Sequence, residues 1–159
     1  MSERLDYQKN SPELFKKFAE LNFKIDHSSI EKTILDLVFI RTSQINGCAF
    51  CLDMHSKQAT LHGERALRLY TLAAWRESVL FNPRERAALA WAEALARLAP
   101  EGVSDELYQY VRTQFSEQEI SDLTFAVMAI NGWNRANIAF TPVPGSLDKQ
   151  YGLDKANLA

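Results

Sequence analysis

No run of lysine and arginine marks this chain: 18 basic side chains are set against 20 acidic ones, for a formal net charge of −2. Such a surface offers no electrostatic footprint for nucleic acid or an anionic membrane, so small molecules or other proteins are the expected partners. Long apolar runs are missing as well, none approaching the roughly 18 residues that a membrane span needs. The opening Met1-Ser2-Glu3-Arg4-Leu5-Asp6 is charged where a secretory signal would be apolar. A cytosolic location is therefore expected. Alternating strand patterns and low-complexity segments are also lacking. Cysteine is scarcest: the chain holds two, and both fall in Cys48-Ala49-Phe50-Cys51.

What is present reads as helix. At 159 residues, 47% hydrophobic and 24% charged, residues 1–159 are expected to form a single globular domain with a substantial core. Ser11-Pro12-Glu13 is a helix start, with Leu14, Phe15, Phe18 and Leu21 on one stripe. Ser28 and Glu31 have capping-box spacing ahead of Ile34, Leu35, Leu37, Val38, Ile40 and Ile45. A helix from about Cys48 to His62 ends at Gly63, and another takes in Ala66 to Trp75. Asn82-Pro83 opens a helix that breaks at Pro100-Glu101-Gly102, and Ser104 to Phe115 is helical again. Ser116 and Glu119 form a second capping-box pattern, opening a long apolar helix that Thr141-Pro142 stops. The expected class is all-α, a bundle of about six to eight helices.

The chemistry centres on the cysteine pair. Asn46-Gly47 is a turn signal, so Cys48 falls at or near a helix N-terminus, where free N–H groups and the helix dipole favour the thiolate. His55 follows Cys51 by four positions and Cys48 by seven, which puts all three on one helical face. Three readings compete. A zinc site needs further ligands, and neither a second Cys-x-x-Cys nor a His-x-x-x-His is present. Two small buried hydrophobes beside a core histidine are the bland alternative. A redox pair alone uses both cysteines, the helix start and the histidine together. In it one thiolate attacks an electrophile such as a peroxide oxygen, becomes a sulfenic acid, and is captured by the other cysteine as a disulfide.

The stretch Asp36-Leu37-Val38-Phe39-Ile40-Arg41-Thr42-Ser43-Gln44-Ile45-Asn46-Gly47-Cys48-Ala49-Phe50-Cys51-Leu52-Asp53-Met54-His55 resembles the core motif of the AhpD-like alkylhydroperoxidases, in the carboxymuconolactone decarboxylase superfamily. The segments Ala73-Ala74-Trp75-Arg76-Glu77-Ser78, Glu85 to Ala92, and Ile130 to Arg135 are similar to family segments too. The resemblance implies an all-α fold, a trimer or hexamer, and cofactor-independent reduction of organic or small hydroperoxides, reset by an external dithiol or thioredoxin-like reductant. By position it makes Cys51 the attacking thiol, Cys48 the resolving one, and His55 part of a proton relay. The family's glutamate, twelve positions before the first cysteine, falls on Asp36, one methylene shorter, with Glu31 the nearest spare. Phe50 stands where a further histidine can sit between the cysteines. A general thiol–disulfide oxidoreductase and an oligomeric redox sensor are the alternative activities; lactone decarboxylation would leave the cysteine pair without a purpose. Of the remaining residues, Trp133, Asn134 and Arg135 are candidates for a pocket or an interface, with core packing the simpler expectation for Trp133. Tyr70 and Trp75 are expected to pack, and His62 to be solvated beside Gly63.

Overall fold

A stretch apolar on nearly every side of a helix belongs at the centre of a bundle, and Ile34 to Ile40, apolar but for Asp36, is such a stretch: all seven residues are buried. The computed structural model describes residues 3–158, and every regular element in it is helical. Those residues form α1 (Tyr7–Asn10), α2 (Pro12–Asp26), α3 (Lys32–Asn46), α4 (Ala49–Leu61), α5 (Ala66–Thr71), α6 (Pro83–Arg97), α7 (Asp105–Arg112), α8 (Glu117–Phe140) and α9 (Asp148–Tyr151). Single 3-10 turns follow α5 and α9, at Leu72–Ala74 and Leu153–Ala156. The longer helices, α2 to α8, fall within the expected six to eight. The four-residue α1 and α9 had no sequence signal strong enough to announce them.

Helix α3 packs against α4, α6 and α8. One side, with Ile34, Leu35 and Val38, joins the main core with Ala88 and Trp91 of α6 and Leu123 and Val127 of α8. The other, with Leu37 and Ile40, joins Leu72, Trp75, Phe81 and Leu89. Trp75 thus packs as expected, whereas Tyr70 is 79% exposed. Each fully buried aliphatic side chain contributes about 1.5–3 kcal/mol, which is why α3 holds its place while carrying a buried carboxylate, Asp36.

Three polar devices fix the frame. Asn82 and Glu85 form a capping box at α6, and Ser116 and Glu119 form another at α8. Removing the first by Asn82→Ala is expected to cost about 1 kcal/mol and to lower Tm by about 2–4 °C, read by thermal unfolding. The box expected at Ser28 and Glu31 does not form: Glu31 is the N-cap of α3 without a side-chain cap bond. Its carboxylate instead accepts from Arg84 at 2.8 Å, and Arg84 also donates to Glu119 at 2.6 Å, so a cation shared between helices outcompetes the local cap. The second device is Glu93, which accepts from Arg41 at 2.6 Å, from Trp75 Nε1 at 3.0 Å and from Arg76. The third joins α3 to α8: Asn46 Nδ2 donates to Asn131 and Asn134 at 2.8 Å each, and Asn134 donates to Ser43 Oγ at 3.0 Å. It anchors the last turn of α3 just ahead of the cysteines.

The chain's outer segments close over this frame. The Arg4 N–H donates to the Phe140 carbonyl at 2.9 Å, and buried Lys57 of α4 donates to Asp53 at 2.8 Å and to Asp148 of α9 at 2.7 Å.

Candidate active site

Gly47 makes the site possible. It ends α3 with φ +71°, a left-handed conformation that L side chains resist, and the chain turns straight into α4. Cys48 becomes the N-cap of α4 with extended backbone, and its Sγ accepts the Cys51 N–H at 3.3 Å. Cys48 and Cys51 are joined as a disulfide with Cα atoms 5.3 Å apart, and both are buried.

Beside Cys51 lies a cavity of about 330 Å³. Its apolar walls include Phe15 and Phe23 of α2, Phe39 of α3, Phe50 of α4, Trp133 of α8 and Tyr151 of α9. Its polar groups include Cys51, His55, Asp36, His62, Gln58, Asn137 and the Tyr7 hydroxyl, with an Asp26–Lys32 ion pair at 3.6 Å. Cys48 does not line it. The shared face is therefore that of Cys51 and His55, while Cys48 reaches the disulfide from the helix cap.

The four expected site residues are divided by their hydrogen bonds. His55 Nδ1 donates to Gln58 Oε1 at 2.7 Å, which leaves Nε2 as the proton-accepting nitrogen of a neutral ring. Desolvation pushes the imidazole down to about 4, against the smaller opposing effect of Gln58. Asp36 accepts from His62 Nδ1 at 2.7 Å and makes no hydrogen bond to His55. Burial pushes the Asp36 carboxyl above its usual range, with the His62 hydrogen bond pulling the other way. His62 is exposed, as expected from its place beside Gly63, and from there it also partners the buried carboxylate and lines the cavity. Its signal was available, since His62 lies seven positions after His55 and extends the Cys48, Cys51, His55 stripe by one more pair of turns. Asn137 and Tyr7 come from 86 and 130 residues away in their contacts and left no local pattern to find.

Two further expectations resolve here. Trp133 lines the cavity and packs edge-on against Phe15 at 5.7 Å and on Phe18 at 4.5 Å, so it is wall and core at once. Asn134 is the buried strut to α3, and Arg135 is exposed. Among the described residues no three His, Cys, Asp or Glu side chains converge as a metal site requires, and no helix is long and apolar enough to cross a membrane.

A consequence of His55 is measurable without any substrate. Its ring resonances are expected to titrate near pH 4 in an NMR series; a midpoint at the ordinary 6.5 would contradict the desolvated, neutral ring. The folded value lies below the unfolded one, so the unfolded chain takes up this proton first as pH falls. Stability is therefore lost between about pH 6.5 and 4.

Known proteins share this architecture. The chain is 41% identical over 139 residues to the uncharacterized protein YdfG of Bacillus subtilis (strain 168), covering 87% of this chain and 95% of that protein. It superposes with a TM-score of 0.85 and 38% identity on the crystal structure of ATU0492 from Agrobacterium tumefaciens, covering 89% of this chain and 99% of that one. ATU0492 is a protein of unknown function for which an AhpD antioxidant-defence role has been suggested. The debrominase Bmp8 shares the fold at a TM-score of 0.78 and 23% identity, over 94% of this chain and 80% of that one. A model of the carboxymuconolactone decarboxylase family matches residues 12–94, which hold both cysteines, both cavity histidines and Asp36. By that match and the AhpD-like fold, the chain belongs to the carboxymuconolactone decarboxylase family.

Proposed function

We propose that the protein is a thiol peroxidase of AhpD type that reduces organic hydroperoxides. The observation that carries this reading is the asymmetry of the cysteine pair: Cys51 lines an aromatic-walled cavity and Cys48 does not. A substrate entering the cavity meets one sulfur; the other waits at the helix cap to resolve it. In the reduced protein the Cys51 thiolate attacks the outer peroxide oxygen and the O–O bond breaks. The sulfur gains an oxygen as sulfenic acid, and the leaving alkoxide takes a proton to become an alcohol. The Cys48 thiolate then attacks the sulfenic sulfur, the disulfide forms, and the hydroxide released takes a proton to become water. Two electrons return when an external dithiol reduces the disulfide and is itself oxidised.

His55 Nε2 and the Asp36–His62 pair are the proton-handling groups on the same cavity. A neutral His55 accepts the proton of the Cys51 thiol, and the Asp36–His62 pair holds one for the departing oxygen. Asp36→Asn is expected to slow peroxide reduction by about 10²-fold. The folded pKa of Asp36 is raised, so its ionised form costs stability at neutral pH, and the variant is expected to keep its Tm there. Rapid-mixing rates and thermal unfolding on the same samples separate the two effects.

The aromatic walls favour an organic peroxide over hydrogen peroxide. Burial of the disulfide favours a small dithiol over a protein reductant, because neither sulfur is on the surface. Exposed Phe125 and Met128, one turn apart on α8, support assembly into the trimer or hexamer implied by the family. A cytosolic location suits a pair that must be reduced to work.

The deciding experiment adds tert-butyl hydroperoxide to the reduced protein and follows thiol loss and product by mass spectrometry. Rapid formation of the Cys48–Cys51 disulfide with release of the alcohol supports the reading. Inert thiols overturn it. Turnover of disulfides with none of peroxide selects a general oxidoreductase instead, and slow stoichiometric oxidation with a change of assembly selects a sensor.

A further inference from the structure

One hydrogen-bond chain in the cavity is left unused by this chemistry. Asn137 of α8 is buried, donates from Nδ2 to Cys51 Sγ at 3.3 Å, and accepts at Oδ1 from the Tyr7 hydroxyl at 2.9 Å. A disulfide sulfur has no proton to give, so the NH₂ end of the amide is the end that faces it. The phenol holds the oxygen end. Desolvation pushes the Tyr7 hydroxyl up to about 12, so it stays a protonated donor throughout the working range.

The two sulfurs differ in what supports a negative charge. Cys48 Sγ has the helix cap and the Cys51 N–H at 3.3 Å. That same bond uses up the backbone donor closest to Cys51, whose own sulfur is buried. Burial without a partner favours a neutral thiol, which is a poor nucleophile. By helix position alone Cys48 would be the better thiolate, yet Cys51 is the sulfur on the cavity. The titratable and charged groups facing the same space are Tyr7, the Asp26–Lys32 pair, the Asp36–His62 pair, His55 and Tyr151. Among the described residues, Asn137 is the side chain whose hydrogen bond reaches Cys51 Sγ.

We infer that Asn137 is the donor that stabilises the Cys51 thiolate, and that Tyr7 is the positioning residue that locks its amide in the orientation to do so. A neutral amide is well matched to this role, because it lowers the cost of the anion without pairing with it as a fixed cation would, and the sulfur stays available to attack. The inference rests on Cys51 as the attacking thiol, and it brings α1 and α8 into a site whose cysteines sit on α4.

The test is a thiolate titration with no peroxide present. In a Cys48→Ser background Cys51 is the single thiol, and serine is a good N-cap residue for α4. The rate of Cys51 alkylation by iodoacetamide is followed across pH by mass spectrometry. Asn137→Ala is expected to raise the midpoint by about one unit or more, so that at a pH below both midpoints alkylation slows about tenfold. Tyr7→Phe, which removes one oxygen atom, is expected to move the midpoint the same way by less. An unmoved midpoint in folded Asn137→Ala overturns the inference; if that variant does not fold, an unmoved midpoint in Tyr7→Phe overturns it. Thiols inert to hydroperoxide would sink the peroxidase reading and leave this titration standing.

Discussion

Cys51→Ser protein is expected to lose hydroperoxide turnover by at least about 10³-fold, the scale on which removal of a nucleophile acts. A serine hydroxyl ionises far above neutral pH, and an alcohol oxygen does not take oxygen from a peroxide as sulfur does. Cys48→Ser is expected to behave differently. Its first equivalent of hydroperoxide is consumed at close to the wild-type rate, because the cavity-lining sulfur is intact, and catalysis then stops with a sulfenic acid stranded on Cys51. The discriminating measurement is rapid mixing with one equivalent of tert-butyl hydroperoxide, followed by dimedone capture and peptide mass spectrometry. The dimedone adduct belongs on Cys51 in Cys48→Ser and on neither residue in the wild type, where the disulfide forms first. A burst that survives in Cys51→Ser and vanishes in Cys48→Ser would reverse the two roles and detach the chemistry from the cavity.

Glu93→Ala is expected to destabilise the fold by about 3–5 kcal/mol, the cost of breaking a buried ion pair from one side. Glu93 is 3% exposed and joins α6 to two other parts of the chain: Arg41 of α3, and Trp75 and Arg76 of the segment after α5. Alanine leaves the largely buried Arg41 charge without its carboxylate, with Gln44 Oε1 at 3.1 Å as a neutral partner, and takes the acceptor from the Trp75 N–H. With a total stability of about 5–15 kcal/mol for a domain of ordinary size, that loss brings the variant close to unfolding at room temperature. Burial pushes the Glu93 carboxyl up, but the hydrogen bonds from Trp75, Arg76 and Arg41 outweigh it and hold it below its ordinary 4.5. The sign follows: the folded value is depressed, so this stabilisation is complete above about 4.5 and is lost as pH falls through the folded value. Urea unfolding at pH 7 should therefore show a wide gap between wild type and variant, and the gap should narrow in strong acid. Equal midpoints at pH 7 would mean that the cluster is ornamental.

The helical plan was legible because its signals are local. Asn82-Pro83, Ser116 with Glu119, and Asn46-Gly47 each carry their structural instruction within a few residues, and the cysteine motif could be placed at a helix start on that basis alone. What could not be read was competition between distant groups. Glu31 had the spacing of a capping box, but Arg84, 53 residues later, takes its carboxylate. Asp36 was expected as the relay carboxylate, and the spacing gave no sign that its hydrogen bond would go to His62 at the far end of α4. Both outcomes depend on which charged partner packing brings within reach, and periodicity says nothing about that. The helical stripe did contain His62, and its neighbour Gly63 rightly put it at the surface; its bond to Asp36 is what spacing could not show. Asn137 and Tyr7 had no pattern to offer, since one sits in a long apolar helix and the other in a four-residue turn.

The cavity draws part of its wall from outside the span that holds its sulfur pair. Both cysteines, Asp36, His55 and His62 lie within residues 12–94, the span shared with the family, while Tyr7, Trp133, Asn137, Leu147 and Tyr151 all lie outside it. Phe15, Phe23, Phe39 and Phe50 line the cavity from within that span, so the outer segments complete the chamber and do not build it alone. Exchanges at Trp133, Leu147 or Tyr151 would reshape the chamber and leave the sulfur pair in place, whereas Asn137, held by Tyr7, reaches Cys51 itself and ties the chain's ends to it.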